Sequence, residues 1–411
     1  MKGQFETFDQ VGVLAAARTP WVDYCGPLAQ VSPIDLGIFV AKGLLARTEV
    51  DAAQVETVLA GSMAQASFDA YMLPRHVGLY AGVPLEVPAL AIQRICGTGL
   101  ELLRQAGQHI ERGISRLALC VAAESMSRNP IASYEHRGGF RLGAPVGFKD
   151  FLWEALIDPA IGQTMIDTAQ NLANRYGIGR EDVDHYALTS FERAMRAREQ
   201  EWFSPEILPV TSASFDLPGY RSRSITLPRK IGSVASDTHP RETSFEALAA
   251  LAAVTPDSVQ TAGNSCALVD GAAAALVGDV RQANAQPLAY VRACAVVGVP
   301  PELMGIGPAP AIRLLLDGYG LQLDAIDSLE INEAQAAQVL AVVRELDLDL
   351  QRLNRNGGAI ALGHPLAATG LRLVHSVARQ LQARGTRYGV AAACIGGGQG
   401  IALLLENPAH S

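Results

Sequence analysis

Two thiols and an imidazole stand in glycine-rich turns of this chain, and together they can carry nucleophilic and acid/base chemistry at one carbon centre. The histidine lies in Asn356-Gly357-Gly358-Ala359-Ile360-Ala361-Leu362-Gly363-His364-Pro365, and one cysteine follows in Cys394-Ile395-Gly396-Gly397-Gly398. The other is far upstream, in Gln93-Arg94-Ile95-Cys96-Gly97-Thr98-Gly99-Leu100, just before a run that reads as a helix. A helix N-terminus carries roughly half a positive charge and unpaired N–H groups, so a thiol placed there is expected to ionise. That is how a nucleophile is made. Each signal is weak alone, because a cysteine beside glycine is most often a small buried hydrophobe and Gly-His-Pro is most often a turn. Their weight comes from the ensemble: Cys96, Asn332-Glu333-Ala334, His364-Pro365 and Cys394-Ile395-Gly396 occur in one order with tight local sequences.

The elements that must position these residues repeat. At a nearly constant offset, Thr98-Gly99-Leu100 matches Thr369-Gly370-Leu371, Arg112-Gly113 matches Arg384-Gly385, and Arg116 matches Arg387. Both places read as turn, apolar helix, Arg-Gly stop and strand, the strands being Leu117 to Ala123 and Tyr388 to Cys394. The same offset aligns Asp51 to Leu59 with Gln322 to Glu330. Each half opens on a β-rich run, Val11 to Pro20 and Leu288 to Val297, and then alternates strands with helical stretches. That alternation predicts mixed sheets covered by helices on both faces. Between the halves, roughly Ser125 to Ala267 has no counterpart; Gly and Pro punctuate it as loops around one helical pattern from Glu181 to Trp202. An insertion laid over the mouth of a site is where substrates are usually gripped, and its Arg221, Arg223, Arg229 and Lys230 are candidates to meet phosphates.

Composition narrows the class. A chain of 411 residues exceeds the usual ceiling for one core, so two or three domains are expected. With 49% hydrophobic, 18% charged and 6% aromatic residues it fits a compact α/β enzyme. A net charge of −8 argues against nucleic acid or an anionic membrane as partner, since both want a basic face. The acidic start and the lack of a long apolar run point to a cytoplasmic protein. Six cysteines are too sparse for a disulfide framework, and none forms the C-x-x-C pair of a zinc or redox site, so no metal is expected.

On these motifs the chain resembles the thiolase family over essentially its full length. The resemblance implies an α/β thiolase fold: two duplicated halves stacked as layered αβαβα, with an inserted loop domain. The expected domains are residues 1–124 plus 268–284 for the first half, 125–267 for the insertion, and 285–411 for the second half. It implies CoA-dependent cleavage of 3-ketoacyl-CoA to acetyl-CoA and a shortened acyl-CoA, or the reverse Claisen condensation. Cys96 would be the acylated nucleophile; His364 would favour its thiolate and donate to the enolate oxygen. Asn332 would hold a water in that oxyanion site, and Cys394 would shuttle the proton at the α-carbon. Backbone N–H groups of Cys96 and Gly396 would form a second oxyanion site. Leu156, Met165, Arg241, Ala262, Cys266, Leu268 and Gln335 would line the coenzyme. Coenzyme A enters as substrate, with no permanently bound cofactor. The family also implies a homodimer or homotetramer, with a hydratase or dehydrogenase as a further partner to consider.

Four departures bear on the substrate. The usual aromatic after Asn-Glu-Ala is Gln335; the usual Gly-Ala-Ser-Gly after Gly-His-Pro-Leu is Ala367-Ala368-Thr369-Gly370; a small polar residue is Cys266; and the histidine preceding Met165 in acetoacetyl-CoA-type members is Thr164. None touches Cys96, Asn332, His364 or Cys394. They weaken acetoacetyl-CoA specificity in particular, which leaves a short-chain acetyl-CoA acetyltransferase as an alternative, alongside a thiolase-like CoA-binding subunit of a larger complex. A decarboxylating ketoacyl synthase would pair its cysteine with His-His or His-Asn, and Cys394-Ile395-Gly396 speaks against it.

Overall fold

A computed structural model of the chain describes residues 2–64, 67–282 and 286–410. The expected boundary between 284 and 285 lies outside these residues.

The first half contributes strand β1 (Val11–Arg18), helix α1 (Pro33–Thr48), β2 (Thr57–Gly61), α2 (Leu73–Ala81), β3 (Ala89–Ala91), α3 (Thr98–Glu111) and β4 (Leu117–Glu124). The insertion carries α4 (Met165–Tyr176) and α5 (Arg180–Glu199) among short hairpins. After β5 (Val269–Asp279) the second half supplies β6 (Ala289–Gly298), α6 (Pro308–Tyr319), β7 (Ile326–Ile331), α7 (Ala336–Leu346), α8 (Leu366–Arg384), β8 (Tyr388–Ile395) and β9 (Gln399–Glu406). Helix α5 stops short of the expected Trp202 because Glu201 turns to φ 53, which no α-helix continues.

Strand order makes the duplication visible. The sheet runs β7-β8-β9-β6-β1-β5-β4-β2-β3, so each half reads outward from the junction in one pattern: β1, β5, β4, β2 on one side and β6, β9, β8, β7 on the other. Strand β2 is parallel to β4, as β7 is to β8. Strands β1 and β6 pair through Ala289 with Val13 and Tyr290 with Gly12, and the short N-terminal strand Gln4–Thr7 adds four pairs to β6, from Gln4 with Val296 to Thr7 with Ala293.

Period-two alternation along each strand then builds the layers. Leu119, Val121 and Ala123 of β4 face α1 and α2, while Ala118, Cys120 and Ala122 face the centre of the molecule. On the other half Ala391, Ala393 and Ile395 face the same centre, and Val390 and Ala392 face α6 and α7. Helices α3 and α8 are the shared middle layer, which gives the expected αβαβα order. A buried ion-pair group fastens the insertion to β1: Arg18 donates to Glu206 at 2.6 Å and to both oxygens of Asp237 at 2.6 and 2.8 Å.

Candidate active site

Cys96 sits on a strained turn. Ile95 has φ 47, a left-handed conformation that a β-branched residue enters only under constraint, at a cost of about 1–3 kcal/mol. Gly97 N–H donates to the Arg94 carbonyl at 2.8 Å. Thr98 clamps the turn from inside, donating from Oγ1 to the Ile95 carbonyl at 2.7 Å and accepting from Arg94 N–H at 2.9 Å. Arg94 is held in turn by Glu101 and Gln399. The consequence is a thiol fixed just before the first turn of α3.

His364 occupies the matching place before α8. It is 3% exposed, and its Nδ1 lies 2.6 Å from Thr369 Oγ1 while Nε2 lies 3.3 Å from Asn332 Nδ2. Asn332 follows β7 and donates its backbone N–H to Ala392 of β8 at 2.9 Å. Its Oδ1 is buried with no hydrogen-bond partner among the described residues, an open acceptor beside the imidazole. Glu333, the next residue, turns the other way and ties Tyr186, Ser190, Asn354 and the Ile360 N–H into one buried knot. Half of the Asn-Glu-Ala motif is thus structural.

The two first turns touch. A Cβ on Gly99 would lie 2.7 Å from the Ala367 carbonyl and 2.9 Å from Gly370 Cα; one on Gly370 would lie 2.4 Å from Leu100 N. Only glycine at both places lets the helix backbones meet, and their meeting brings the cysteine turn against the histidine turn. Strand β8 completes the group. The Gly396 N–H hydrogen-bonds to the Cys96 sulfur, and Cys266 and Cys394 lie close enough to feel the charge of Cys96, Cys394 that of Cys266 as well. Cys394 packs against Met304, Ala334 and Met165.

Electrostatics here run against the expected ionised thiol. Cys96 keeps some exposure, yet enough protein surrounds its sulfur for burial to push the thiol up to about 11, only partly offset by the Gly396 N–H; Glu124 pushes the same way as burial. Burial, then the neighbouring Cys96, takes Cys266 up to about 12 and Cys394 well above the usual thiol range. Burial and the nearby Arg372 bring His364 down to about 3. The half charge of a helix N-terminus is outweighed by desolvation, so the resting site holds neutral thiols and a neutral imidazole.

The residues expected to line the coenzyme divide. Met165, Cys266 and Gln335 adjoin the thiols, Cys266 donating its N–H to the Ala334 carbonyl at 3.0 Å. Leu156 is bonded to Met165 through its carbonyl at 3.0 Å, and Leu268 packs on the central core. Arg241 and Ala262 are exposed; Arg241 stacks 4.8 Å from the Phe191 ring centroid and is bonded to His239, so neither belongs to the buried group. Of the basic residues in the insertion, Arg223 is neutralised by Asp35 and Asp69, whereas Arg221, Arg229 and Lys230 remain exposed. Gly396 does not need to be glycine for backbone reasons, since a Cβ there would meet Ile95 and Met165 at an ordinary 3.5 Å. The left-handed glycines are Gly397 and Gly398, both at φ 84.

Sequence reasoning missed Thr369, Met304 and Glu124. Glu124 ends β4 fully buried and accepts from Ser62 Oγ at 3.1 Å, Ala64 N–H at 3.3 Å and Ala367 N–H at 3.2 Å, joining the loop after β2 to the start of α8. Burial pushes its carboxyl up to about 7. A carboxylate closing an otherwise apolar strand was the available signal.

With this geometry in hand, comparison with known proteins is decisive. The family described as Thiolase, N-terminal domain matches residues 11–280, and Thiolase, C-terminal domain matches residues 285–407. The mitochondrial 3-ketoacyl-CoA thiolase of Bos taurus is 40% identical, covering 97% of this chain and 98% of that protein. The chain belongs to the thiolase family. Beta-ketoadipyl-CoA thiolase of Acinetobacter baylyi is also 40% identical, over 96% of this chain and 98% of its own length. The crystal structure of human mitochondrial 3-ketoacyl-CoA thiolase in complex with CoA superposes with a TM-score of 0.90 at 40% identity, covering 97% of this chain and 98% of that one. This thiolase is therefore an acyltransferase, and the thiol group at the crossing of α3 and α8 is its candidate active site.

Proposed function

We propose that this thiolase cleaves 3-ketoacyl-CoA longer than acetoacetyl-CoA through an acyl-Cys96 intermediate. The supporting observation is that two further thiols and the Gly396 N–H gather at Cys96, while the histidine–asparagine pair stands at the matching turn, where the first turns of the duplicated helices touch. In the forward direction Cys96 gives its proton to His364 as its sulfur attacks the 3-keto carbon, so that thiolate forms only when substrate takes up the charge. The N–H groups of Cys96 and Gly396 receive the resulting oxyanion. The C2–C3 bond then breaks, acetyl-CoA leaves as its enolate, and its α-carbon takes a proton from Cys394. His364 and a water held by Asn332 Oδ1 stabilise that enolate oxygen. Coenzyme A next attacks the acyl-Cys96 thioester, its thiol proton passing to Cys394; the bond from the acyl carbon to Cys96 breaks, the departing Cys96 sulfur takes its proton back from His364, and the shortened acyl-CoA leaves.

Preference for longer chains is supported by Thr164, which caps α4: its Oγ1 accepts from Asp167 N–H at 3.2 Å while Asp167 accepts from Thr164 N–H at 2.8 Å. The Thr164 hydroxyl also donates to Asp167 at 2.8 Å, so it is engaged by the helix start, and it carries no imidazole. Brief reaction with labelled acyl-CoA, followed by peptide mapping, should place the label on Cys96; label at Cys266 or Cys394 alone overturns the assignment.

The same reading includes a homo-oligomer. Strand β3 ends the sheet with exposed Leu90, and the hairpin Ile131–Ala132 with Lys149–Asp150 displays Tyr134, Phe140, Leu142 and Phe148 to solvent. An open edge and an apolar patch of this kind call for a covering partner. Light scattering at micromolar concentration should return a dimer or tetramer, and a strictly monomeric mass contradicts it.

A further inference from the structure

The two N–H groups that the proposed mechanism aims at one oxygen come from different halves of the chain. Cys96 precedes α3, while Gly396 opens the glycine turn that joins β8 to β9, so only packing and hydrogen bonds fix their separation. Packing supplies one contact. A Cβ on Gly97 would lie 2.8 Å from Ile395 Cδ1 and 3.0 Å from Ile401 Cγ2, so the Cys96 turn rests on side chains either side of the glycine turn. Apolar contact of this kind has no direction; it sets a closest approach and leaves the sideways position open.

One polar contact adds the direction. Arg94, two residues before Cys96, donates from Nη1 to Gln399 Oε1 at 2.9 Å and from Nε to Glu101 Oε2 at 2.8 Å. Glu101 is buried in the first turns of α3 and is itself held by Gln105 Nε2 at 2.7 Å and Arg104 Nη1 at 3.3 Å. Gln399 starts β9 opposite Ile395, and alternation along the strand puts it on the central face with Ile401 and Leu403. A planar guanidinium that donates in two fixed directions has little freedom left, so Arg94 ties α3 to the β8–β9 turn as a strut. Among the described residues it makes the one side-chain hydrogen bond between the two turns.

We propose that Arg94 and Gln399 are positioning residues for the second oxyanion site, holding the Gly396 N–H at the spacing from the Cys96 N–H that a tetrahedral oxyanion needs. The inference rests on the acyl-Cys96 mechanism above. The other oxyanion site, His364 with the water held by Asn332, hangs on Thr369 and on the backbone of β8 instead. Loosening the strut therefore slows addition to the 3-keto carbon and to acyl-Cys96, and spares enolate formation at Cys394.

The test separates the two oxyanion sites. For the wild type, Gln399→Met, Gln399→Glu and Arg94→Met, kcat and KM for cleavage of 3-ketohexanoyl-CoA are measured beside deuterium uptake at the α-carbon of acetyl-CoA in heavy water. That exchange, on the acylated enzyme, uses Cys394 and the His364 site only. Gln399→Met and Arg94→Met should each lower kcat about 10- to 100-fold with little change in KM, the penalty of a donor misplaced by about 1 Å, and should keep most of the uptake. Gln399→Glu still gives Arg94 an acceptor and should recover most of the loss. The double variant Arg94→Met/Gln399→Met should be no slower than the slower single one, because both cut one link. Parallel losses of cleavage and uptake, or additive losses in the double variant, would make the pair a general support of the fold and overturn the proposal; unchanged cleavage in Gln399→Met overturns it too. Arg94→Met also frees Glu101, so Gln399→Met and its rescue decide the matter if Arg94→Met fails to fold. Labelling of Cys96 by acetyl-CoA separates the two readings: labelled Cys96 with no split between cleavage and uptake sinks only the strut, and no label on Cys96 of the wild type sinks the mechanism beneath it.

Discussion

The turns that open α3 and α8 are copies of one another, yet they do different things. Thr98 and Thr369 occupy equivalent places, as do Gly99 and Gly370. In the first half the threonine hydroxyl is spent on backbone, clamping Ile95 and Arg94 so that a strained turn can present Cys96. In the second it holds the His364 ring. The glycines behave alike, each admitting the other helix's backbone. At the strand ends the pattern diverges again: Glu124 and Ile395 are equivalent and both point to the centre, while Ala123 and Cys394 are equivalent and both point outward. Duplication fixed the frame, and the side chains laid on it differ at the helix starts and strand ends.

The comparison can be broken most forcefully at Cys394. Cys394→Ala should lose 3-ketoacyl cleavage by about 10²–10⁴-fold, the usual cost of a removed general acid/base, while acyl transfer from acyl-CoA to Cys96 falls by less, because that step asks Cys394 to protonate a leaving thiolate and moves no proton at carbon. Near-normal cleavage would point to Cys266 as the proton carrier. The threonine pair should separate next. Thr369→Val is expected to lower kcat about 10- to 100-fold with little change in melting temperature, since it frees one imidazole nitrogen. Thr98→Val should lower both kcat and melting temperature, because its hydroxyl holds the backbone of the Cys96 turn; matching profiles for the two variants would erase the distinction.

The glycines sharpen the symmetry instead. Gly99→Ala and Gly370→Ala should each cost about 1–3 kcal/mol in denaturant titration, as overpacking does, and the double variant should cost less than the sum because both disturb one contact. Additive losses would mean the helices do not share it.

The smallest effect is in pH. Glu124 binds its proton more tightly folded than unfolded, its carboxyl moving from 4.5 to about 7. The stability it contributes is therefore complete below pH 4.5 and is lost as pH rises through about 7. Relative to Glu124→Gln, the wild type should lose on the order of 1–3 kcal/mol across that window, measured by melting temperature at fixed ionic strength; parallel curves would show that Glu124 is ionised throughout.

Much of this was legible in the chain. Strand alternation and the helix-stop-strand repeat are local patterns with local causes, so the layered α/β fold, the duplication and the insertion could be read directly. The order of Cys96, Asn332, His364 and Cys394 pointed to the right family because each stands in a turn whose glycines and prolines are themselves local signals. The state of the thiols was not legible. A helix start argues for an ionised Cys96, and the opposing effect, burial reinforced by the charge of Glu124 and only partly offset by the Gly396 N–H, depends on groups that are not near it in sequence.

By itself, the sequence determined the frame and the family, and named the candidate reacting groups, since backbone preference and residue chemistry are carried by each segment alone. Only the tertiary structure decided that Gly99 meets Gly370, that Arg223 is consumed by Asp35 and Asp69, and that Gln335 and Ser265 stand unpaired beside the thiols. Those outcomes depend on which distant groups share a dry volume, where an unmet hydrogen bond or an unscreened charge costs far more than it does in water.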